Sequence, residues 1–201
     1  MSRRSRSPRR MVDKWSAKEL YQIYSPIGFL EGEEKVVGET LTDDPNKLIG
    51  RVIEVSLADI TNDYSKMHVK LNFQIIEVVG NTARTRFKGH SFARDYLRFL
   101  VRRRRTRIDC ITTVKTKDGI PFRITATGFT SHRSKTSKKD AIRRKMLDII
   151  AERANELNSN EFIHEATGGK LSSQVYFQCK SIYPLKSVEI QKTKVLKAIE
   201  S

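Results

Sequence analysis

The sequence predicts an α+β fold with a mainly antiparallel sheet, of meander or barrel type, flanked by helices. Three segments between residues 51 and 88 alternate apolar and polar side chains and are rich in β-branched residues, as strands are. No helical pattern separates them, and such a succession favours antiparallel pairing over a βαβ arrangement. After them, and again after a second pair of strands, apolar residues recur at helical spacing.

The first three strands follow each other closely. Residues 51–57 and 68–75 alternate with period two, and Gly80-Asn81 is a turn into a third strand that begins at Thr82. On the third strand, Arg84, Arg86 and Lys88 share one side. The apolar face of the second strand consists of Val69, Leu71, Phe73 and Ile75.

A basic helix and a hairpin come next. The pattern predicts a helix over residues 91–103 that ends in the run Arg102-Arg103-Arg104-Arg105. Residues 108–116 and 122–129 are predicted strands, joined by a turn at Asp118-Gly119. The apolar side of the predicted helix consists of Phe92, Tyr96, Phe99 and Leu100.

The following part of the chain is predicted to be helical. A long helix is expected over residues 138–157, and Ser137 with Asp140 resembles a capping box at its start. Gly168-Gly169 breaks the helical pattern, and a further helix is expected to end before Pro184. The apolar stripe of the long helix consists of Ile142, Met146, Ile149, Ile150 and Leu157.

The domain organisation follows from these segments. Residues 1–12 are expected to form a disordered basic arm, because they are rich in arginine and serine and carry no apolar face. Residues 13–201 are expected to form a single α+β domain. Its parts are a strand-rich region (48–130), a helical region (137–183), and a C-terminal strand and tail (186–201).

Between the arm and the first strand, the sequence predicts little regular structure. Residues 14–22 are a candidate for a short helix that docks through Trp15. Residues 24–44 contain one proline and three glycines, a density that indicates irregular chain with at most a short strand.

The charge of the chain points to a polyanionic partner. It has 39 Lys and Arg against 23 Asp and Glu, a formal net charge of +16. Nucleic acid is the first partner to consider and an anionic membrane surface the second. Arginine forks bind phosphate oxygens bidentately, and lysines at a helix N-terminus add to its attraction for anions. We expect RNA binding by two clusters: Arg84, Arg86, Lys88, Arg102, Arg103, Arg104, Arg105 and Arg107; and Arg133, Lys135, Lys138, Lys139, Arg143 and Arg144, beside Lys145.

No catalytic or metal site is predicted, and no cofactor. The four histidines have no metal-ligand spacing, and the chain lacks a phosphate-loop motif and a nucleophile elbow. Cys110 and Cys179 are far apart and outside any C-x-x-C pattern, which argues against a disulfide framework and favours a reducing compartment. No apolar run approaches the length that spans a membrane.

Several long segments resemble the S3Ae family of small-subunit ribosomal proteins, also called eS1. The resemblance covers about residues 13–196 and leaves out the arm before Met11. The compact length of the chain resembles the archaeal members of the family more than the eukaryotic ones. The segments that carry it are residues 48–60, 65–75 (SKMHVKLNFQI), 87–104 (FKGHSFARDYLRFLVRRR) and 121–139 (PFRITATGFTSHRSKTSKK).

The resemblance implies a non-enzymatic structural component of the small ribosomal subunit. Its expected partners are small-subunit rRNA, neighbouring ribosomal proteins and mRNA, since the family lies on the platform near the mRNA exit. A membrane and a small-molecule substrate are not expected. The resemblance also implies a barrel-like sheet and a cytoplasmic, ribosome-associated location. Two alternatives stay open at this point: a subunit of an RNA-processing or RNA-modifying complex, and a general polyanion or membrane-surface binder.

Overall fold

The computed structural model describes residues 15–26 and 34–196, which form eight strands and five α-helices. The predicted basic arm, residues 1–12, lies outside the described residues. No helix in the described ranges is long and apolar enough to cross a membrane. In chain order the elements are β1 (Glu19–Tyr24), β2 (Val36–Thr42), β3 (Val52–Ser56), α1 (Leu57–Thr61), β4 (Val69–Val79), β5 (Thr82–Phe92), α2 (Arg94–Leu100), β6 (Arg107–Lys115), β7 (Pro121–Thr130), α3 (Thr136–Glu156), α4 (Ser159–Gly168), α5 (Lys170–Cys179) and β8 (Leu185–Val195).

The sheet forks at β5. On one side, β5 pairs antiparallel with β4, which pairs with β3. On the other side, Thr82–Arg84 pair in parallel with β1, whereas Gly89–Ser91 pair antiparallel with β8. Strand β2 pairs with β1, whereas β7 pairs with β8 and β6 pairs with β7. The predicted α+β class and mainly antiparallel sheet are therefore confirmed. The described pairings do not close into a ring, so a barrel-like sheet is not confirmed.

The main core lies between the two halves of the sheet and helices α3 to α5. Alternate residues of β4 point into it, as the sequence predicts, and Leu71 and Phe73 are fully buried. Helix α3 adds the predicted stripe, in which Ile142 and Met146 are also fully buried. Full burial of each such side chain stabilises the fold by about 1.5–3 kcal/mol.

The prediction of a helix over residues 14–22 is wrong for the part of this segment that the structure describes. Glu19–Tyr24 form strand β1, with Tyr21 and Ile23 buried in a second, smaller core that also contains Leu48 and Ile75. Burial of alternate side chains against β4 and β5 decides in favour of a strand. The neighbouring region, expected to hold at most a short strand, contains the seven-residue strand β2.

Two predicted helix starts also differ. Strand β5 continues to Phe92, which pairs with Val69, so α2 begins only at Arg94 and ends at Leu100. Helix α3 begins at Thr136 with Lys135 as its N-cap residue, and no side chain caps it. Asp140, expected in a capping box there, instead forms a salt bridge with Arg143.

Candidate nucleic-acid interface

Three basic segments meet at one end of the β6–β7–β8 sheet. Strand β6 begins where β7 ends, and Thr130 at the end of β7 pairs with Leu185 at the start of β8. The backbone N–H of Thr130 donates to the carbonyl oxygen of Thr106 at 3.0 Å. We call this surface the basic edge and define it as Arg102, Arg103, Arg104, Arg105, Arg107, Arg133, Lys135 and Lys186.

The arginine run forms a tight turn after α2. The backbone N–H of Arg105 donates to the carbonyl oxygen of Arg102 at 3.3 Å. Arg104 has a φ of 62°, in the left-handed region that costs a non-glycine residue about 1 kcal/mol or more. The guanidinium of Arg102 lies 4.6 Å from the centre of the Phe99 ring, which is 63% exposed. Phe99, predicted on the apolar side of its helix, is therefore an exposed aromatic beside cations.

The loop after β7 is held against this turn by hydrogen bonds. The backbone N–H of Ser134 donates to Oγ1 of Thr106 at 3.1 Å. The hydroxyl of Tyr183 donates to the carbonyl oxygen of Arg133 at 3.0 Å. The backbone of the loop is thus fixed, while the side chains of Arg133 and Lys135 are exposed.

The first turn of α3 continues the positive surface. Lys138 and Lys139 lie in this turn, which contains no acidic residue. The backbone N–H groups and the dipole of a helix N-terminus attract anions, and both effects have the same sign as the lysine charges. Arg144 is exposed one turn later.

Two predicted RNA-binding arginines are already engaged by carboxylates. Nε of Arg107 lies 2.8 Å from Oδ1 of Asp109. Nη1 of Arg143 lies 2.7 Å from Oδ1 of Asp140, and its Nε donates to the carbonyl oxygen of Asp109 at 3.1 Å. The hydrogen bond from Arg143 to Asp109 holds α3 to β6, and the two salt bridges offset part of the charge of both arginines.

The structure divides the first predicted cluster into two. Arg84, Arg86 and Lys88 line a cleft of about 710 Å³ in the fork of the sheet, together with Lys194 of β8. Strand β8 runs from the basic edge to Lys194, which pairs with Gly89. At about 3.3 Å per residue, the eight residue steps of β8 from Lys186 to Lys194 correspond to about 26 Å. The arginine turn and the group with Arg84 therefore cannot bind the same few phosphates.

The described residues include no group of three or more His, Cys, Asp or Glu side chains that could hold a metal ion. Cys110 and Cys179 are buried free thiols, and burial raises the pKa of each to about 11. At neutral pH both remain protonated, so neither is activated as a nucleophile.

Comparison with known proteins identifies the family. The Ribosomal S3Ae family matches residues 6–199. The chain belongs to the ribosomal S3Ae family. The match is wider than the region in which the sequence resembles the family, and it includes part of the N-terminal arm.

Relatives of this S3Ae chain include archaeal proteins of nearly its own length. "Small ribosomal subunit protein eS1" of Desulfurococcus amylolyticus is 47% identical over 92% of this chain and 85% of its own length. The protein of the same name from Methanobrevibacter smithii is 42% identical over 96% of this chain and 98% of its own length. The resemblance to this family seen in the sequence is therefore confirmed.

The sequence of this S3Ae chain does not point to two residues that the fold places at the basic edge. Lys186 and Glu189 of β8 line a second cleft, of about 580 Å³, with the arginine turn and α2. The antiparallel pairing of β7 with β8 brings them there across more than 50 residues of chain, and no local pattern encodes that pairing. The cleft is lined by Tyr96, Phe99, Leu100, Arg102, Arg103, Arg105, Lys186, Ser187 and Glu189.

Proposed function

We propose that this chain is a structural component of the small ribosomal subunit that binds rRNA through the basic edge and the first turn of α3. The observation that carries the proposal is the convergence of unpaired cations from three segments. Among the described residues, no carboxylate forms a salt bridge with Arg102, Arg103, Arg104, Arg105, Arg133, Lys135 or Lys186. Phosphates are the counter-charge that such a surface lacks.

The form of the surface favours the RNA backbone as the main ligand. Exposed arginines on a fixed turn and loop present bidentate forks to phosphate oxygens without a large entropy cost. The family supports a ribosomal RNA as the source of those phosphates, since its relatives are named as small-subunit proteins. The role is one of binding and architecture, without catalysis, in the cytoplasm.

The resemblance to the S3Ae family supports a finer placement. In this proposal the protein lies on the platform of the small subunit, near the mRNA exit, and contacts neighbouring ribosomal proteins and mRNA. The fork cleft with Arg84, Arg86 and Lys88 is then a second contact surface. The distance of about 26 Å between Lys194 in this cleft and Lys186 at the basic edge, estimated from strand rise, suits a protein that bridges separate rRNA segments.

Charge reversal on the arginine turn tests the proposal. The variant Arg103→Glu with Arg104→Glu is compared with Lys115→Glu with Lys117→Glu, which makes the same charge change at the opposite end of the β6–β7 hairpin. Gradient sedimentation of cell extract at low and moderate salt follows each protein. We expect the arginine variant to be absent from small subunits and the lysine variant to be present. Equal incorporation of both would exclude the arginine turn as an rRNA site.

A further inference from the structure

The carboxyl group of Glu189 is half-buried and has no hydrogen-bond donor among the described residues. It lies half-buried on β8 and lines the second cleft. None of the described residues donates a hydrogen bond to it or forms a salt bridge with it, although arginines line the same cleft. Burial alone raises its pKa to about 7. Removing a carboxylate from water without replacing its hydrogen bonds is costly, so a donor from another molecule would complete this site.

Ser187 adds a second unsatisfied polar group to the same cleft. Its Oγ is buried and has no hydrogen-bond partner. Residues 187 and 189 are two apart on β8, so both side chains are on the same face of the sheet. The hydroxyl oxygen of Ser187 is out of reach of water, so the accessible polar group on the floor of the cleft is the carboxyl group of Glu189.

The walls of the cleft suit an aromatic ring with phosphates on either side. Phe99 of α2 provides largely exposed ring surface, and Tyr96 beside it is stacked on His68 with ring centres 3.9 Å apart. Arg102 already lies over the Phe99 ring, while Arg103 and Arg105 line the same cleft. Unpaired bases of RNA bind proteins by this combination of stacking, edge hydrogen bonds and flanking cations. A volume of about 580 Å³ is ample for one nucleotide.

We propose that this cleft binds one unstacked guanine base of the RNA, with Glu189 accepting hydrogen bonds from the N1–H and N2–H groups of its Watson–Crick edge. Phe99 stacks on the base. The inference rests on the proposed function, because the basic edge must hold the RNA that supplies the base. It adds a base-specific contact to a surface that otherwise recognises phosphates.

The chemistry of the bases selects guanine, whose two N–H donors also favour the ionised form of the carboxyl group. An ionised carboxylate has two oxygens that only accept hydrogen bonds. Guanine presents two adjacent N–H donors on its Watson–Crick edge. Adenine and cytosine each place one amino donor beside a ring nitrogen that accepts, and uracil places one N–H between two carbonyl oxygens. With each of those three bases, one carboxylate oxygen would face an acceptor.

Chemical footprinting of assembled small subunits tests the guanine contact. Kethoxal reacts with N1 and N2 of unpaired guanine, the same two atoms that Glu189 would cover. Subunits containing the wild-type chain are compared with subunits containing Glu189→Gln, and with Glu152→Gln as a control for the charge change on the exposed face of α3. Dimethyl sulfate reports adenine and cytosine in the same samples.

We expect at least one rRNA guanosine to be protected in the wild-type and Glu152→Gln subunits and to become about tenfold or more reactive in Glu189→Gln. That factor is the ordinary effect of losing one hydrogen bond to a charged group. Identical kethoxal patterns at equal protein occupancy would overturn the inference. A change confined to an adenosine or cytidine would also overturn it, because the cleft would then take another base.

A second measurement separates this inference from the proposed function. The purified full chain is footprinted on transcribed small-subunit rRNA, which does not require assembly in the cell. If the wild-type chain fails to bind the transcript, the proposed function fails. If the wild-type chain binds but leaves every guanosine as reactive as the Glu189→Gln variant does, only the guanine contact fails.

Discussion

Nδ1 of His90 on β5 lies 2.7 Å from the hydroxyl oxygen of Thr193 on β8, and Nε2 of the same ring lies 2.9 Å from the carbonyl oxygen of Ile190. A carbonyl oxygen only accepts, so Nε2 carries the proton and Nδ1 accepts from the Thr193 hydroxyl. That hydroxyl in turn accepts from the backbone N–H of His90. Because β5 and β8 pair over three residues, this buried network strengthens a short join between two parts of the sheet.

Gly89 allows the strands to approach at this join, and we expect Gly89→Ala to destabilise the fold. A Cβ at this position would lie well inside van der Waals contact of the carbonyl oxygen of Thr193, and backbone atoms cannot move aside cheaply. Overpacking of this kind costs about 1–3 kcal/mol or more. Urea denaturation measures the loss. Gly38→Ala is the control, since its Cβ would meet nothing within 4 Å. Equal stability of the two variants would contradict the expected clash.

His90 should make the fold less stable in mild acid. Full burial lowers its pKa from 6.5 to about 4. Between these values the unfolded chain binds a proton that the folded chain does not, so the free energy of unfolding falls as pH drops from about 6.5 to about 4. The contribution is on the order of 2–3 kcal/mol. Denaturation of wild-type and His90→Gln chains at pH 7 and pH 5 checks it, with His132→Gln in the exposed loop as the control. A His90→Gln chain with the wild-type pH slope would refute it.

Glu189 should have the opposite pH dependence. Its pKa is raised from 4.5 to about 7, so between these values the folded chain keeps a proton that the unfolded chain has released. The free energy of unfolding therefore falls as pH rises through this window. Relative to wild type, Glu189→Gln should be stabilising by about 1–2 kcal/mol at pH 8 and nearly neutral at pH 4.5, after a discount for partial solvent contact. Urea denaturation without RNA measures both. The same difference at the two pH values would count against a raised pKa.

Strands and helices with a clear periodic pattern of apolar residues were predictable from the sequence. The alternation in β4 and the stripe of α3 follow directly from which side chains are buried, so the local pattern reports the structure. Strand β1 was not predictable in this way. Its conformation depends on pairing with β2 and with β5, which lies about 60 residues later in the chain, and its six residues carry too little pattern to exclude a helix.

For the candidate site, the sequence predicts the basic segments but not how the fold arranges them. Local composition indicates the arginine turn and the basic loop, but it also groups them with Arg84 on β5, which the fold places at the far end of β8. Lys186 and Glu189 show the reverse case. They are unremarkable in sequence and reach the basic edge through the pairing of β7 with β8.

The arginines at the basic edge should differ in their contribution to RNA binding. Arg103 and Arg104 are exposed and form no salt bridge with a described carboxylate, so each can neutralise a phosphate. Arg107 already faces Asp109 at 2.8 Å, so a phosphate there would meet a cation whose charge is partly offset. We expect Arg103→Ala with Arg104→Ala to weaken binding to small-subunit rRNA strongly, and Arg107→Ala to weaken it much less.

The salt dependence of binding distinguishes lost phosphate contacts from a disturbed fold. Each phosphate contact contributes about one unit to the slope of log affinity against log salt concentration, because its neutralisation releases counterions. The double variant should therefore lower the slope by about two units, whereas Arg107→Ala should lower it by less than one. Binding of the purified chain to transcribed rRNA at several salt concentrations measures both. If the two variants change the slope equally, the Asp109 pairing does not decide which arginines bind RNA. The total positive charge of the turn then determines RNA binding.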